Sequence, residues 1–261
     1  MKRIRAIGVG AGGIDLLTVQ AIEALRATDV FFIFDKGEEK AELANLRKAI
    51  CARYCTERPY RFAILPSPPR DASLSYKSGV DAWHAERARA VAEAIDETLR
   101  EGETGAFLVW GDPALYDSTL RILDAVAAAG CGIHYDVIPG ISSIQLLAAR
   151  HRIALNTIGD PVLITTGRRL ASAFPEAHTS VVVFLDSGEG LRSLAGREAH
   201  IYWGAYLGTD DEVLAEGEVA GVLEHILAVR EARRRAKGWI MDVYLVRVPP
   251  AAPLQNGSVG A

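Results

Sequence analysis

The chain has 261 residues, 49% of them hydrophobic and 24% charged, and carries a formal net charge of -4. That length holds two medium domains or one large one with a substantial core, and an acidic balance with a pI of about 5.9 offers no basic field to a nucleic-acid backbone. Nowhere do about 18 uncharged apolar residues run together, so no membrane span is expected, and the start MKRIRAIG passes into glycines rather than the apolar segment of a secretory signal.

The first half alternates short apolar strands with charged or amphipathic helices. Ile4–Gly8, Val30–Phe34, Phe62–Leu65, Ala106–Trp110 and Ile133–Ile138 read as the strands of a βαβα arrangement with a parallel sheet. A helix near Trp83–Glu101 places Ala88, Val91, Ile95 and Leu99 on one apolar stripe, with Arg89–Glu93 and Asp96–Arg100 pairs at i,i+4 outside. Cys51 and Cys55 stand one helical turn apart, a helix face rather than a redox or zinc motif; with Cys131 they read as reduced thiols of the cytoplasm.

A turn cluster at 150–160 separates this half from a second set of strands, Pro161–Thr165, Ser180–Leu185, Ala199–Gly204, Glu212–Val219 and Met241–Val248. Glu212, Glu216 and Glu218 alternate with apolar residues, which predicts a half-exposed, partly antiparallel sheet. The expected division is a domain over 1–153, a second over 154–249, and a disordered tail at 250–261. The last helix, about Gly221–Lys237, ends in Arg230, Arg233, Arg234, Arg235 and Lys237, a solvated cationic helix end that opposes the macrodipole.

Three loops at strand ends carry the chemistry. Gly8, Gly10 and Gly13 satisfy GxGxxG after the first strand, and Asp35 ends the second; by position this fits a dinucleotide-dependent oxidoreductase. The continuation Ile14-Asp15-Leu16-Leu17-Thr18 places Asp15 as an N-cap and starts the helix later than that motif requires. The fourth strand runs into Gly111-Asp112-Pro113-Ala114-Leu115-Tyr116, and the fifth into Pro139-Gly140-Ile141-Ser142-Ser143. Both lie where open α/β sheets bind ligands, and both also read as plain turns with a serine helix cap.

The stretch GVGAGGIDLLTVQAIEAL, the Gly111–Tyr116 loop and the Pro139–Ser143 element together resemble the tetrapyrrole methylases, in order along the chain. Ala11 stands where that family usually has proline and Gly13 where it usually has aspartate. The resemblance covers about residues 4–248. It implies an α/β fold of the class III methyltransferases: two α/β domains, a parallel N-terminal and a mixed C-terminal sheet, with the cofactor in the cleft. It further implies S-adenosyl-L-methionine as cofactor, S-adenosyl-L-homocysteine as product, an anionic tetrapyrrole (precorrin) as substrate, and a homodimer.

The cofactor-binding residues it implies are Ala11, Trp110, Gly111, Asp112, Leu115, Tyr116, Ser142, Ser143, Leu185, Ala205 and Met241. The segment Asp35–Glu86 resembles the branch that methylates precorrin-5 at C1 with loss of acetate. That second step calls for a base and a donor, for which Asp112 or Asp35 and Tyr116 or His84 are the candidates. Arg53, Arg58, Arg61, Arg70 and Lys77 are candidates for substrate carboxylates or else ordinary surface charges. Another precorrin or uroporphyrinogen methyltransferase, the oxidoreductase, and a non-catalytic corrinoid carrier remain the alternatives.

Overall fold

The computed structural model describes residues 1–35, 41–67 and 76–249; the expected tail at 250–261 and Arg70 lie outside them. The chain divides into two compact units. The first comprises Met1–Leu146, Leu207–Asp210 and Lys237–Trp239, the second Leu147–Tyr206, Asp211–Ala236 and Ile240 onward.

The elements of the first half run β1 Lys2–Gly8, α1 Val19–Arg26, β2 Val30–Asp35, α2 Ala41–Tyr54, β3 Arg61–Pro66, α3 Tyr76–Thr98, β4 Thr104–Val109, α4 Thr119–Ala128, β5 Ile133–Ile138 and α5 Ser143–His151. Five strands form one sheet in the order β3-β2-β4-β1-β5, every pair parallel. The central strands β2 and β4 are apolar on both faces because both are covered, while the edge strands β3 and β5 keep exposed residues. Ile4, Ala6, Val30, Phe32 and Phe107 pack with Val91, Ile95, Ile122 and Leu123 of α3 and α4. Ile7, Phe31, Ala106 and Leu108 pack with Ala24, Leu25, Ile50 and Cys51 of α1 and α2.

This order makes β4 a switch strand. Its neighbours β1 and β2 both send the chain to the α1/α2 face, while β4 sends it to the α3/α4 face. Connections leaving in opposite directions open a crevice at the carboxyl ends of the strands, and here there is one on each side of β4.

The second half continues with β6 Val162–Thr166, α6 Gly167–Ser172, β7 Ser180–Phe184, α7 Glu189–Arg192, β8 His200–Ala205, β9 Val213–Glu218, α8 Val219–Lys237 and β10 Asp242–Arg247. Its sheet has the order β6-β7-β10-β8-β9, with β6 parallel to β7 and the rest antiparallel. Strand β9 alternates half-buried and exposed residues, with Glu216 and Glu218 outward.

Some local expectations are corrected. The N-cap of α1 is Thr18, whose hydroxyl accepts the Ala21 amide at 3.1 Å, so Asp15 lies in the preceding turn and Leu16–Thr18 precede the helix. Asp96 bonds Lys2 Nζ at 2.7 Å rather than Arg100, because α3 ends at Thr98 and Arg100 lies beyond it. Arg230 is not part of a solvated helix end: it is 5% exposed and pairs with Asp242 at 2.9 Å.

Candidate active site

The first crevice, between β1 and β4, is built from backbone. Val9 donates to Val109 O at 2.9 Å, and Gly10 and Gly111 exchange hydrogen bonds at 3.3 and 2.7 Å, so the two loops leave the sheet as a pair. Gly111 has φ 67, a left-handed conformation that only glycine adopts at no cost. A Cβ on Gly140 would lie 2.1 Å from Gly111 O and 2.8 Å from Gly8 Cα. Three strand ends therefore converge main chain to main chain.

Asp112 ties that convergence together. Its Oδ1 accepts the Ala114 amide at 2.8 Å and its Oδ2 the Gly140 amide at 2.9 Å. Both oxygens are thus engaged by backbone. Ser142 is 3% exposed; its hydroxyl accepts the Ile144 amide at 3.2 Å, and Gln145 Oε1 accepts the Ser142 amide at 3.0 Å and the Ser142 hydroxyl. That reciprocal pattern is a capping box on α5. Ser143 opens the helix, half-buried. Ala11 is buried in a loop where a Cβ on Gly12 would lie 2.6 Å from Leu207 O, and one on Gly13 2.6 Å from Asp15 Oδ1, a packing reason for those glycines that requires no phosphate.

The second crevice, between β2 and β4, holds a cavity of about 250 Å³. Phe32, Phe34, Phe107, Arg47 of α2, Trp83 and Arg87 of α3, and Tyr116–Thr119 line it. Tyr116, 44% exposed, has φ 51, a non-glycine left-handed conformation that costs about 1 kcal/mol and concentrates at functional sites. His84 Nε2 is 3.0 Å from Ser118 Oγ, so it reaches the cavity through that hydroxyl. Trp110 and Leu115, both half-buried, flank the Gly111–Tyr116 loop. Asp35 ends β2; its side chain lies outside the described residues.

Arg47 and Arg87 went unnoticed in the sequence, as did Asp117. The Arg87 guanidinium lies 3.6 Å from the Phe34 ring centroid and 4.4 Å from that of Trp83. Burial pulls it down to about 10, with Asp117 acting in the opposite sense. Arg47 donates from Nε to Leu108 O at 2.8 Å and is likewise lowered by burial against Asp117. The signal was available: Arg87 stands four residues before Val91, on the buried stripe of its own helix. By contrast Arg58 pairs with Asp29 and Arg61 with Glu103, at the amino end of β3 and away from the crevices. Arg53 is exposed in the last turn of α2, and the side chain of Lys77 lies outside the described residues.

In the second unit, Leu185 follows β7 with φ 50 and is 67% exposed. Ala205 is the buried last residue of β8, and Met241 accepts the Tyr206 amide at 2.9 Å.

Residues 3–222 match the family model of the Tetrapyrrole (Corrin/Porphyrin) Methylases. The chain is 51% identical, over 95% of its own length and 95% of the relative's, to the deacetylating precorrin-6A synthase of a Sinorhizobium species. It is 24% identical, over 88% of its length and 84% of the relative's, to a cobalt-precorrin-2 C(20)-methyltransferase of Salmonella typhimurium. Among solved structures, a cobalamin-synthesis-related protein (CobF) of Corynebacterium diphtheriae superposes with a TM-score of 0.80 at 36% identity, covering 95% of this chain and 99% of that one. A uroporphyrin-III C-methyltransferase of Thermus thermophilus, solved with S-adenosylhomocysteine, shares the fold with a TM-score of 0.57 at 17% identity, over 94% and 92% of the two chains. With a family model over most of its length, and with parallel and mixed sheets in the expected order, the chain belongs to the tetrapyrrole (corrin/porphyrin) methylases.

Proposed function

We propose that the chain is an S-adenosylmethionine-dependent C-methyltransferase that converts precorrin-5 to precorrin-6A, methylating C1 and releasing acetate, in cobalamin biosynthesis. The observation that carries this is the 51% identity to a deacetylating precorrin-6A synthase over 95% of both chains.

The first crevice suits the cofactor. Gly8, Gly111 and Gly140 present main chain with no side chains between them, and a Cβ at Gly111 would meet only Ser142 Cα, at 3.7 Å; such a surface admits a close-approaching ligand. Ala11, Trp110, Gly111, Asp112, Leu115, Tyr116, Ser142 and Ser143 would hold it; Leu185, Ala205 and Met241 are proposed contacts on family resemblance alone. When bound, S-adenosylmethionine supplies a sulfonium methyl group, already a strong donor, so the chain's task is alignment and exclusion of water. No residue need act as nucleophile.

Release of the acetyl group as acetate consumes water and needs proton transfer. With both oxygens on backbone amides, Asp112 is assigned a positioning role. Tyr116, on the cavity wall, and His84, through Ser118, remain the candidate donors to the carbonyl oxygen; Asp35, at the end of β2, is the candidate base for water. We place the protein in the cytoplasm on its free cysteines, Cys51, Cys55 and Cys131, and as a homodimer on family resemblance. Among the described residues no helix is long and apolar enough to cross a membrane.

The test is incubation of the purified chain with methyl-labelled S-adenosylmethionine and precorrin-5, with product mass and free acetate measured separately. One methyl gained and one acetate released per turnover is the expected result. Thermal protection by NAD(H) but not S-adenosylhomocysteine would instead favour the oxidoreductase.

A further inference from the structure

The cavity beside β4 is built for more than packing. Its described lining includes two arginines, the half-buried Arg47 and the buried Arg87, and one carboxylate, Asp117. Arg87 is 7% exposed, and its Nε is buried with no hydrogen-bond partner. Among the described residues no carboxylate or carbonyl bonds this guanidinium. Its position is set by the faces of Phe34 and Trp83, a stack that leaves the edges of the plane, where the donors point, for another group.

A buried guanidinium with no hydrogen-bonded anion is costly, and a carboxylate at the edge of the Arg87 plane would reduce that cost. At about 250 Å³ the space falls below the roughly 300–1,000 Å³ of pockets that enclose whole drug-sized ligands. It can take a side arm but not a macrocycle. Ser118, whose hydroxyl meets His84, and Thr119 line the same wall, so polar neutral groups stand beside the charged one.

We propose that this cavity is a carboxylate subsite in which Arg87, with Arg47, receives one acetate-sized anion. The anion is either a carboxylate side arm of the substrate or the acetate set free by the reaction. The identity of the substrate rests on the precorrin reading above; the affinity for a carboxylate does not.

Sodium acetate titrated into the full chain, against sodium chloride at equal ionic strength, tests the site without turnover, because Arg87 stacks on Trp83. A saturable change in tryptophan emission is expected. It should vanish in Trp83→Phe and weaken by about tenfold or more in Arg87→Lys and Arg47→Lys, each checked for a wild-type melting profile. The proposal is overturned if acetate and chloride act alike, or if Arg87→Lys and Arg47→Lys both bind acetate as wild type does.

Turnover separates the two sources. A side arm in the site makes acetate competitive with precorrin and raises KM in Arg87→Lys with little change in kcat. Released acetate in the site gives inhibition that precorrin does not relieve, with KM unchanged. Acetate binding without any methyl transfer to precorrin-5 would retain the subsite and remove the proposed function.

Discussion

Asp112 and Gly140 lie in loops that follow different strands, and a single carboxylate joins them: Oδ2 of Asp112 accepts the Gly140 amide at 2.9 Å while Oδ1 accepts that of Ala114. In Asp112→Asn one of these two amides must face an NH₂ group. The Gly140 amide is half-buried, so leaving it unsatisfied costs about 1 kcal/mol, the low end for a lost acceptor, and the loop of Gly111 is released with it. S-adenosylhomocysteine affinity, measured by calorimetry, should fall about tenfold or more, with methyl transfer and acetate release declining together. Acetate release lost while methylation persists would make Asp112 a base instead.

Gly140→Ala should be far worse than its size suggests. The new methyl would meet the main chain of Gly8 and Gly111, neither of which can rotate away. Relief requires spreading three strand ends, at about 3 kcal/mol or more. Gly221→Ala is the contrast, since it sits within α8 with nothing near its Cβ position; it should stabilise by about 0.5–1 kcal/mol. Denaturant midpoints of the two variants should move in opposite directions.

The fold was legible because each strand carries its own signature. The ten strands among the described residues lie within two residues of where apolar runs and turn residues placed them, and the alternation of short apolar strands with helices in the first half read as a parallel sheet. The loops Gly111–Tyr116 and Pro139–Ser143 were visible for the same reason, being short and contiguous. What escaped was long-range. Arg87 is functional-looking only because Phe34 and Trp83 face it, and Arg230 is buried only because Asp242 of another element meets it. Arg58 and Arg61 looked suited to substrate until the sheet put them at its amino edge, already paired. The start of α1 was ambiguous locally, since Asp15 and Thr18 are both residue types that cap helices, and it is Thr18 whose hydroxyl takes the Ala21 amide.

Arg230 and Asp242 form a buried ion pair in the second unit. Arg230 also donates to the carbonyls of Ser187 and Asp186, and Trp203 Nε1 donates to the same Asp242 oxygen at 3.0 Å. Removing one partner leaves the other charge uncompensated, so Arg230→Ala should cost about 3–5 kcal/mol by chemical denaturation. In Arg230→Met/Asp242→Leu the two losses should be strongly non-additive, the double variant recovering part of the deficit. Equal, additive losses would show that the pair is not coupled.

Glu103 gives the pH dependence. Both its oxygens accept from Arg61, at 2.9 and 2.6 Å, and the Arg100 amide donates to it at 2.8 Å. Those bonds, the Arg61 one foremost, hold the carboxyl down at about 2 from an ordinary 4.5. A folded carboxyl that binds its proton more weakly than the unfolded one contributes stability above 4.5 and loses it as the pH falls towards about 2. The pair lies at the surface and is partly exposed, so solvent screening keeps the contribution at about 1 kcal/mol or less. Wild type should therefore unfold at higher denaturant than Glu103→Gln at neutral pH, and the gap should close across that acid window. High salt should narrow the neutral-pH gap by screening, and a gap indifferent to both salt and acid would assign Glu103 a packing role in place of an electrostatic one.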